Sequence, residues 1–315
     1  MRNSLKIFTG GSNPELAKKI CKHAGIKLGK CETVKFSNEN LKVRILESVR
    51  GKDVYVVQSS CPPVNENIME LLIMIDAIKH AKADSITAVL PYYPYVRSDK
   101  KDEPRISITA RLIADLLETA GADRVMTMNL HSPQIAGFFR IPVDHLLAGK
   151  LLCDYYKKKG VENCVVVAPD AGSAKRAGVY AITLGLPLAI LDKRRNDDSE
   201  KAKIHNVIGE VKGMRALIFD DEIATGGSIL EVVKALESLG VREIEAACVH
   251  AVLSGTAVER LGKSALAKLV VTDTVTIPPE KRIPKMVILS VAELFAKAIV
   301  CSNRGSSISG LFGKI

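Results

Sequence analysis

Tryptophan is absent from this chain, and phenylalanine and tyrosine together make up only 4% of its 315 residues. So few flat aromatic faces leave little on which the bases of a single strand could stack. The formal net charge of +10 is therefore read as a feature of small anionic ligands rather than of nucleic acid. No stretch approaches the ~18 to 20 uninterrupted apolar residues of a membrane span, and no charged start followed by an apolar segment marks a secretory leader. A cytoplasmic protein with no membrane attachment is expected. Seven cysteines, odd in number and without paired spacing, exclude a disulfide framework and a zinc site built on cysteine pairs. Six histidines show no doublet at helical spacing. Any metal is expected to be a hard cation held largely by its substrate. Low-complexity linkers and short repeats are also missing.

What is present is apolar material, 47% of the chain, enough for two packed cores of ordinary size. Short β-branched runs alternate with helical patterns throughout: Val54 to Val57 then Val64 to His80, Ile86 to Leu90 then Ile106 to Ala120, Val165 to Ala168 then Ala174 to Leu184, and Arg215 to Phe219 then Ser228 to Leu239. Such alternation predicts an α/β chain with mostly parallel sheets flanked by helices. The boundary is placed near Ala148, giving domains of 1–148 and 149–315. The apolar end of the tail, Ile308 to Phe312, is expected to dock on another element, with the first domain as its target. Basic residues concentrate in two short segments, Arg97 to Arg105 and Lys193 to Arg195, a pattern suited to phosphate groups.

The segment Asp220-Asp221-Glu222-Ile223-Ala224-Thr225-Gly226-Gly227-Ser228 lies between an apolar strand and a helical pattern. Glycines let backbone amides turn inward, and the following helix adds the positive end of its dipole, so Thr225 to Ser228 suits a phosphate monoester. Paired carboxylates would repel a bare phosphate, yet beside one they suit vicinal hydroxyls, which donate strong hydrogen bonds to them. A phosphorylated ribose satisfies both halves. The plainer alternative is a strand-to-helix turn with Ser228 as its cap and the acids solvated.

This loop resembles the phosphoribosyl signature shared by type I phosphoribosyltransferases and ribose-phosphate pyrophosphokinases. Further segments resemble the pyrophosphokinase pattern in order: Ser12 to Ala17, Glu47 to Gly51, Val64 to Ile73, Leu130-His131 with Gln134 and Gly137 to Phe139, Pro169 to Gly172, and Lys193 to Arg195. The resemblance implies two similar type I phosphoribosyltransferase-like domains. It also implies transfer of the β,γ-diphosphoryl group of ATP to the 1-hydroxyl of ribose 5-phosphate with Mg2+, in a homo-oligomer, a hexamer of dimers.

The resemblance implies roles for individual residues as well. Lys193 and Arg195 would stabilise charge on the transferring group; from spacing alone they are equally a solvated basic turn. Asp220, Asp221, Ala224, Thr225, Gly226, Gly227 and Ser228 would hold ribose 5-phosphate. Asp170, Ala171, Gly172 and Ser173 would hold the diphosphate, with Asp170 and His131 as magnesium ligands. Phe36, Asn38, Asn40, Arg97, Ser98 and His131 would hold the nucleotide, Phe36 by stacking on the base, although Phe36 could equally be core. The chain departs from the pattern at Asn40, usually glutamate; Ser98, usually glutamine; Ser107, usually proline; and Ala224, usually a third aspartate. These departures keep open another donor such as ADP, or an inactive regulatory subunit. A phosphoribosyltransferase is the remaining alternative, disfavoured by two full α/β halves.

Overall fold

The computed structural model describes residues 4–194 and 203–311, in two compact units. The first holds the residues up to Leu147, the segment 274–276 and the chain from Ser290. Its elements run β1 (Leu5–Thr9), α1 (Pro14–Ala24), the hairpin of β2 (Cys31–Lys35) and β3 (Leu41–Ile45), β4 (Asp53–Val57), α2 (Val64–His80), β5 (Ser85–Leu90), α3 (Thr109–Ala120), β6 (Arg124–Met128) and β7 (Val143–Leu146). Strands β1, β4, β5, β6 and β7 lie side by side in that order, all parallel. The sheet is apolar on both faces, as parallel sheets are. In β4, Val54 and Val56 face a core with Leu71, Met74, Ile75 and Ile78 of α2, while the alternate residues Tyr55 and Val57 are buried on the opposite side. Helix α1 begins where Asn13 accepts the Leu16 amide at 3.2 Å with Pro14 in the first turn, and it ends at Gly25 in the left-handed region.

The second unit runs α4 (Gly149–Lys159), β8 (Cys164–Ala168), α5 (Ala174–Leu184), β9 (Leu188–Arg194), β10 (Lys203–Ile208), β11 (Arg215–Ile223), α6 (Gly227–Ser238), β12 (Glu243–Ala251), α7 (Ala257–Lys263), β13 (Lys268–Thr272) and β14 (Met286–Leu289). Its sheet has the order β10-β9-β8-β11-β12-β13-β14, with only β10 antiparallel to its neighbour. From β8 the chain crosses through α5 to β9 on one side; from the adjacent β11 it crosses through α6 to β12 on the other. The carboxyl ends of β8 and β11 thus flank a topological switch point, where open α/β sheets bind their ligands.

Several expectations are corrected. Strand β11 continues through the acids to Ile223, because β12 pairs with it as far as Ala251 and Ile223 is buried in the core; Asp220 and Asp221 are strand residues, not loop residues. Strand β9 likewise includes Lys193 and Arg194, paired with β10, so the backbone there is no turn. Helix α3 starts at Thr109 rather than Ile106. The segment 149–315 is not one body: helix α8 (Ala292–Asn303) belongs to the first unit and packs on α1. Both helices carry apolar stripes, Leu16 and Ile20 on α1 and Phe295 and Ile299 on α8, and each stripe needs a partner.

Phe219, only 2% exposed, precedes Asp220 on β11. Its ring stacks on Tyr180 of α5 at 4.1 Å and 6° and meets Tyr156 of α4 edge-on at 5.5 Å. One side chain therefore fixes two helices to the strand that carries the acids. Replacing Phe219 by alanine is expected to lower the unfolding free energy by ~3–5 kcal/mol, read as a shift of the urea midpoint with the slope unchanged.

Candidate active site

Beyond the end of β8, the turn from Pro169 to Ser173 is closed on itself. The carboxylate of Asp170 accepts the Ser173 amide at Oδ1, 2.7 Å away, and the Ser173 hydroxyl donates to the Asp170 carbonyl at 2.9 Å. A Cβ on Gly172 would lie 3.3 Å from Asp170 Oδ1, so a side chain there would crowd the carboxylate. The turn faces solvent and opens into α5.

Beyond β11, Ala224 and Thr225 lead to Gly226, whose φ of +72° starts α6 at Gly227. Ser228 is therefore inside the helix and does not cap it. Among the described residues no side chain caps this first turn, so its amides and the dipole end are presented toward the switch point. The Ala224 carbonyl accepts the Ser254 amide at 2.9 Å and the Thr225 carbonyl lies 3.4 Å from Arg260, which holds the turn from behind.

Arg176 in the first turn of α5 is bonded to the carboxylates near the end of β11. Its guanidinium donates to Asp221 at 2.5 Å and to Asp220 at 3.1 Å. The sequence reading did not include it. A signal was available: Lys175 and Arg176 stand in the first turn of a helix, where the dipole disfavours cations, so a carboxylate partner was required. Asp221 is buried and Asp220 partly so, and the solvated-acid alternative falls. Burial, then the hydrogen bond and charge of Asp221, raise the Asp220 carboxyl from 3.8 to about 7, while Arg176 pulls the other way. Burial draws the Arg176 guanidinium down, but Asp221 and Asp220 outweigh it and hold its pKa up. The pair can thus accept from or donate to vicinal hydroxyls near neutral pH.

The remaining predicted residues lie on the first unit. Phe36, Asn38 and Asn40 occupy the β2–β3 turn, where the Phe36 amide donates to the Asn40 carbonyl at 2.9 Å and the Asn40 amide to Asn38 Oδ1 at 3.2 Å. Phe36 is 48% exposed, which removes the core alternative and leaves a free ring face. Arg97 and Ser98 sit in the segment between β5 and α3, where Arg97 shares a cleft with Tyr92, Tyr95 and Lys100. Both regions are tethered to the first turn of α2: Lys35 pairs with Glu66 at 2.6 Å and the Tyr95 hydroxyl donates to Asn65 at 2.5 Å. The hairpin and the segment are thereby held to neighbouring residues of one helix.

His131 is exposed just after β6. The preceding Leu130 amide donates to Nε2 of His145 on β7 at 2.9 Å. Burial lowers the pKa of His145, which favours the neutral ring that this acceptor role requires. Arg195 lies outside the described residues, as does the side chain of Lys193. Among the described residues no three His, Cys, Asp or Glu side chains converge on one point. Asp170 offers an exposed carboxylate, the hard oxygen donor magnesium takes, and magnesium commonly completes its shell with phosphate oxygens and water.

Comparison with known proteins gives one answer along nearly the whole chain. Residues 5–121 match the model for the N-terminal domain of ribose phosphate pyrophosphokinase, and residues 143–278 match that for the phosphoribosyl transferase domain. The ribose-phosphate pyrophosphokinase of Caldanaerobacter subterraneus subsp. tengcongensis is 52% identical over 311 residues, 98% of each chain. That of Bacillus subtilis is 48% identical over 309 residues, covering 98% of this chain and 97% of the relative. The crystal structure of phosphoribosylpyrophosphate synthetase from Mycobacterium smegmatis superposes with a TM-score of 0.91 at 42% identity, covering 96% of this chain and all of that one.

Asp220 yields a pH prediction. Its native pKa is raised, so the native state binds more protons than the unfolded chain between the ordinary carboxylate range and about 7. Stability falls as pH rises through that window. Melting temperatures measured from about pH 4 to 8 are expected to show this decline in the wild type and a flatter profile in Asp220→Asn; equal slopes would place the raised carboxyl elsewhere.

Proposed function

The chain belongs to the ribose-phosphate pyrophosphokinase family, and from that premise we propose how its parts share the reaction: transfer of the β,γ-diphosphoryl group of ATP to the 1-hydroxyl of ribose 5-phosphate, giving phosphoribosyl pyrophosphate and AMP. The observation that carries the assignment is the pair of acids at the end of β11, held by Arg176 of α5 at the switch point where two turns stand side by side. One turn is shaped for a sugar phosphate, and the other stands beside it with a carboxylate and small residues.

The Thr225 to Ser228 amides and the α6 dipole bind the 5-phosphate. Asp220 and Asp221, oriented by Arg176, accept hydrogen bonds from the ribose hydroxyls and fix the sugar so that its 1-hydroxyl faces the incoming phosphorus. Asp170 through Ser173 wrap the diphosphate. Lys193 and Arg195 neutralise charge on the transferring group, where each such contact is worth a few kcal/mol. Phe36 stacks on the adenine, Asn38 and Asn40 border it, and Arg97 meets the nucleotide phosphates. Magnesium, when bound, offsets the charge of the phosphate oxygens; Asp170 and His131 are each proposed ligands.

A cytoplasmic location is supported by the bacterial relatives and by the lack, among the described residues, of any helix long and apolar enough to cross a membrane. A homo-oligomer, a hexamer of dimers, is proposed on the family resemblance alone.

The test is an assay with purified protein, magnesium, ribose 5-phosphate and either ATP or ADP, with the nucleotides separated by chromatography. AMP is expected from ATP only when the sugar is present; no turnover with either donor would sink the proposal. In the same assay Lys193→Ala is expected to lower kcat far more than it raises KM for the sugar, because its charge acts mainly in the transition state. Equal effects on both would assign it to ground-state binding.

A further inference from the structure

Ser98 stands where the family resemblance expects a glutamine; it borders the same cleft as Arg97, but its hydroxyl is engaged within the chain. The hydroxyl donates to the Ser107 carbonyl at 3.1 Å, accepts the Thr109 amide at 3.2 Å and lies 3.3 Å from the Thr109 hydroxyl. Its backbone is tied on both sides as well: the Ser98 amide donates to the Tyr95 carbonyl at 2.9 Å, and the Ser98 carbonyl accepts the Ala110 amide at 3.1 Å. Nearby, the buried Tyr93 hydroxyl donates to the Ala110 carbonyl at 3.0 Å. All of these contacts lie at the two feet of the excursion 99–106, whose charged residues from Lys100 to Arg105 are exposed.

Helix α3 supplies the second half of the argument. The residue before its first turn is Ile108, which has no side chain able to cap an amide. Thr109 is the first helical residue, and its amide is among those a helix start leaves without an internal partner. Ser98 provides that partner from eleven residues upstream in place of a local cap. The same oxygen thus closes the neck of the excursion and anchors α3.

We propose that Ser98 is a positioning residue: its hydroxyl clips the neck of the 99–106 excursion to the start of α3 and so fixes where Arg97 stands, rather than touching the nucleotide itself. That Arg97 serves nucleotide binding rests on the function proposed above; the clip does not. A glutamine, longer by a CH2 and a terminal amide, carries its polar atoms beyond the neck.

The experiment compares the wild type with Ser98→Ala and Ser98→Thr as full chains. Hydrogen exchange is followed without nucleotide, and ATP kinetics are measured at saturating ribose 5-phosphate. Loss of one network of ordinary hydrogen bonds corresponds to about fivefold. Ser98→Ala is expected to speed exchange across 99–110 and to raise KM for ATP by about that factor, with a smaller effect on kcat. Ser98→Thr, which keeps the hydroxyl, is expected to restore both. A raised KM with unchanged exchange would mean that the hydroxyl contacts the nucleotide directly and would overturn the clip. Unchanged exchange and KM in Ser98→Ala would overturn it too, as would faster exchange with KM unmoved. Should the wild type show no turnover, the proposed function fails while the exchange measurement still decides the clip.

Discussion

Two adjacent carboxylates on a buried strand are a costly arrangement, and the pairing of Arg176 with Asp220 and Asp221 is what makes it tenable. Burial raises the Asp220 carboxyl, and the hydrogen bond and charge of Asp221 raise it further; an unpaired pair would take up a proton or distort the strand. A planar guanidinium on the facing helix offers donors to both at once. That geometry demands that α5 lie close against β11, and the Tyr180, Phe219 and Tyr156 rings hold it there. The crossover order around β8 and β11 in turn puts the first turns of α5 and α6 at the same end of the sheet. Packing, topology and charge converge on one bridge between α5 and β11.

Much of this was legible from residue patterns. The β-branched runs and helical spacing predict the parallel α/β layers, and α2 spans Val64 to His80 as its apolar periodicity indicates. The Thr225 to Ser228 turn between β11 and α6 was legible as a strand-to-helix turn because its glycines are a local signal. What was not legible depends on neighbours distant in sequence. The extension of β11 through Asp220 and Asp221 follows from pairing with β12, and nothing in a run of acids announces a strand. Arg176 needed a partner 44 residues away. Phe36 is ambiguous as a lone aromatic, and only its exposure separates it from the core.

The departures from the family pattern divide in the same way. Ala224 stands where the pattern has a carboxylate, and its carbonyl is held by the Ser254 amide. Ser98 loses the reach of glutamine and gains a place in the neck of a neighbouring segment. A change of side-chain chemistry at a ligand site can thus leave the backbone frame intact, as at Ala224, or add to it, as at Ser98.

The return of the chain at Ser290 to complete the first unit bears on how the protein is made. Helix α8 follows the whole of the second unit in sequence, but the apolar stripe of α1 is covered by it. During vectorial synthesis the second unit has all of its strands available before the first unit has its last helix, and domains fold as units once complete. The nascent first unit must therefore wait with one face of α1 uncovered until α8 leaves the ribosome. The unit whose first strand is translated earliest is thus completed only after all the strands of the other have been made.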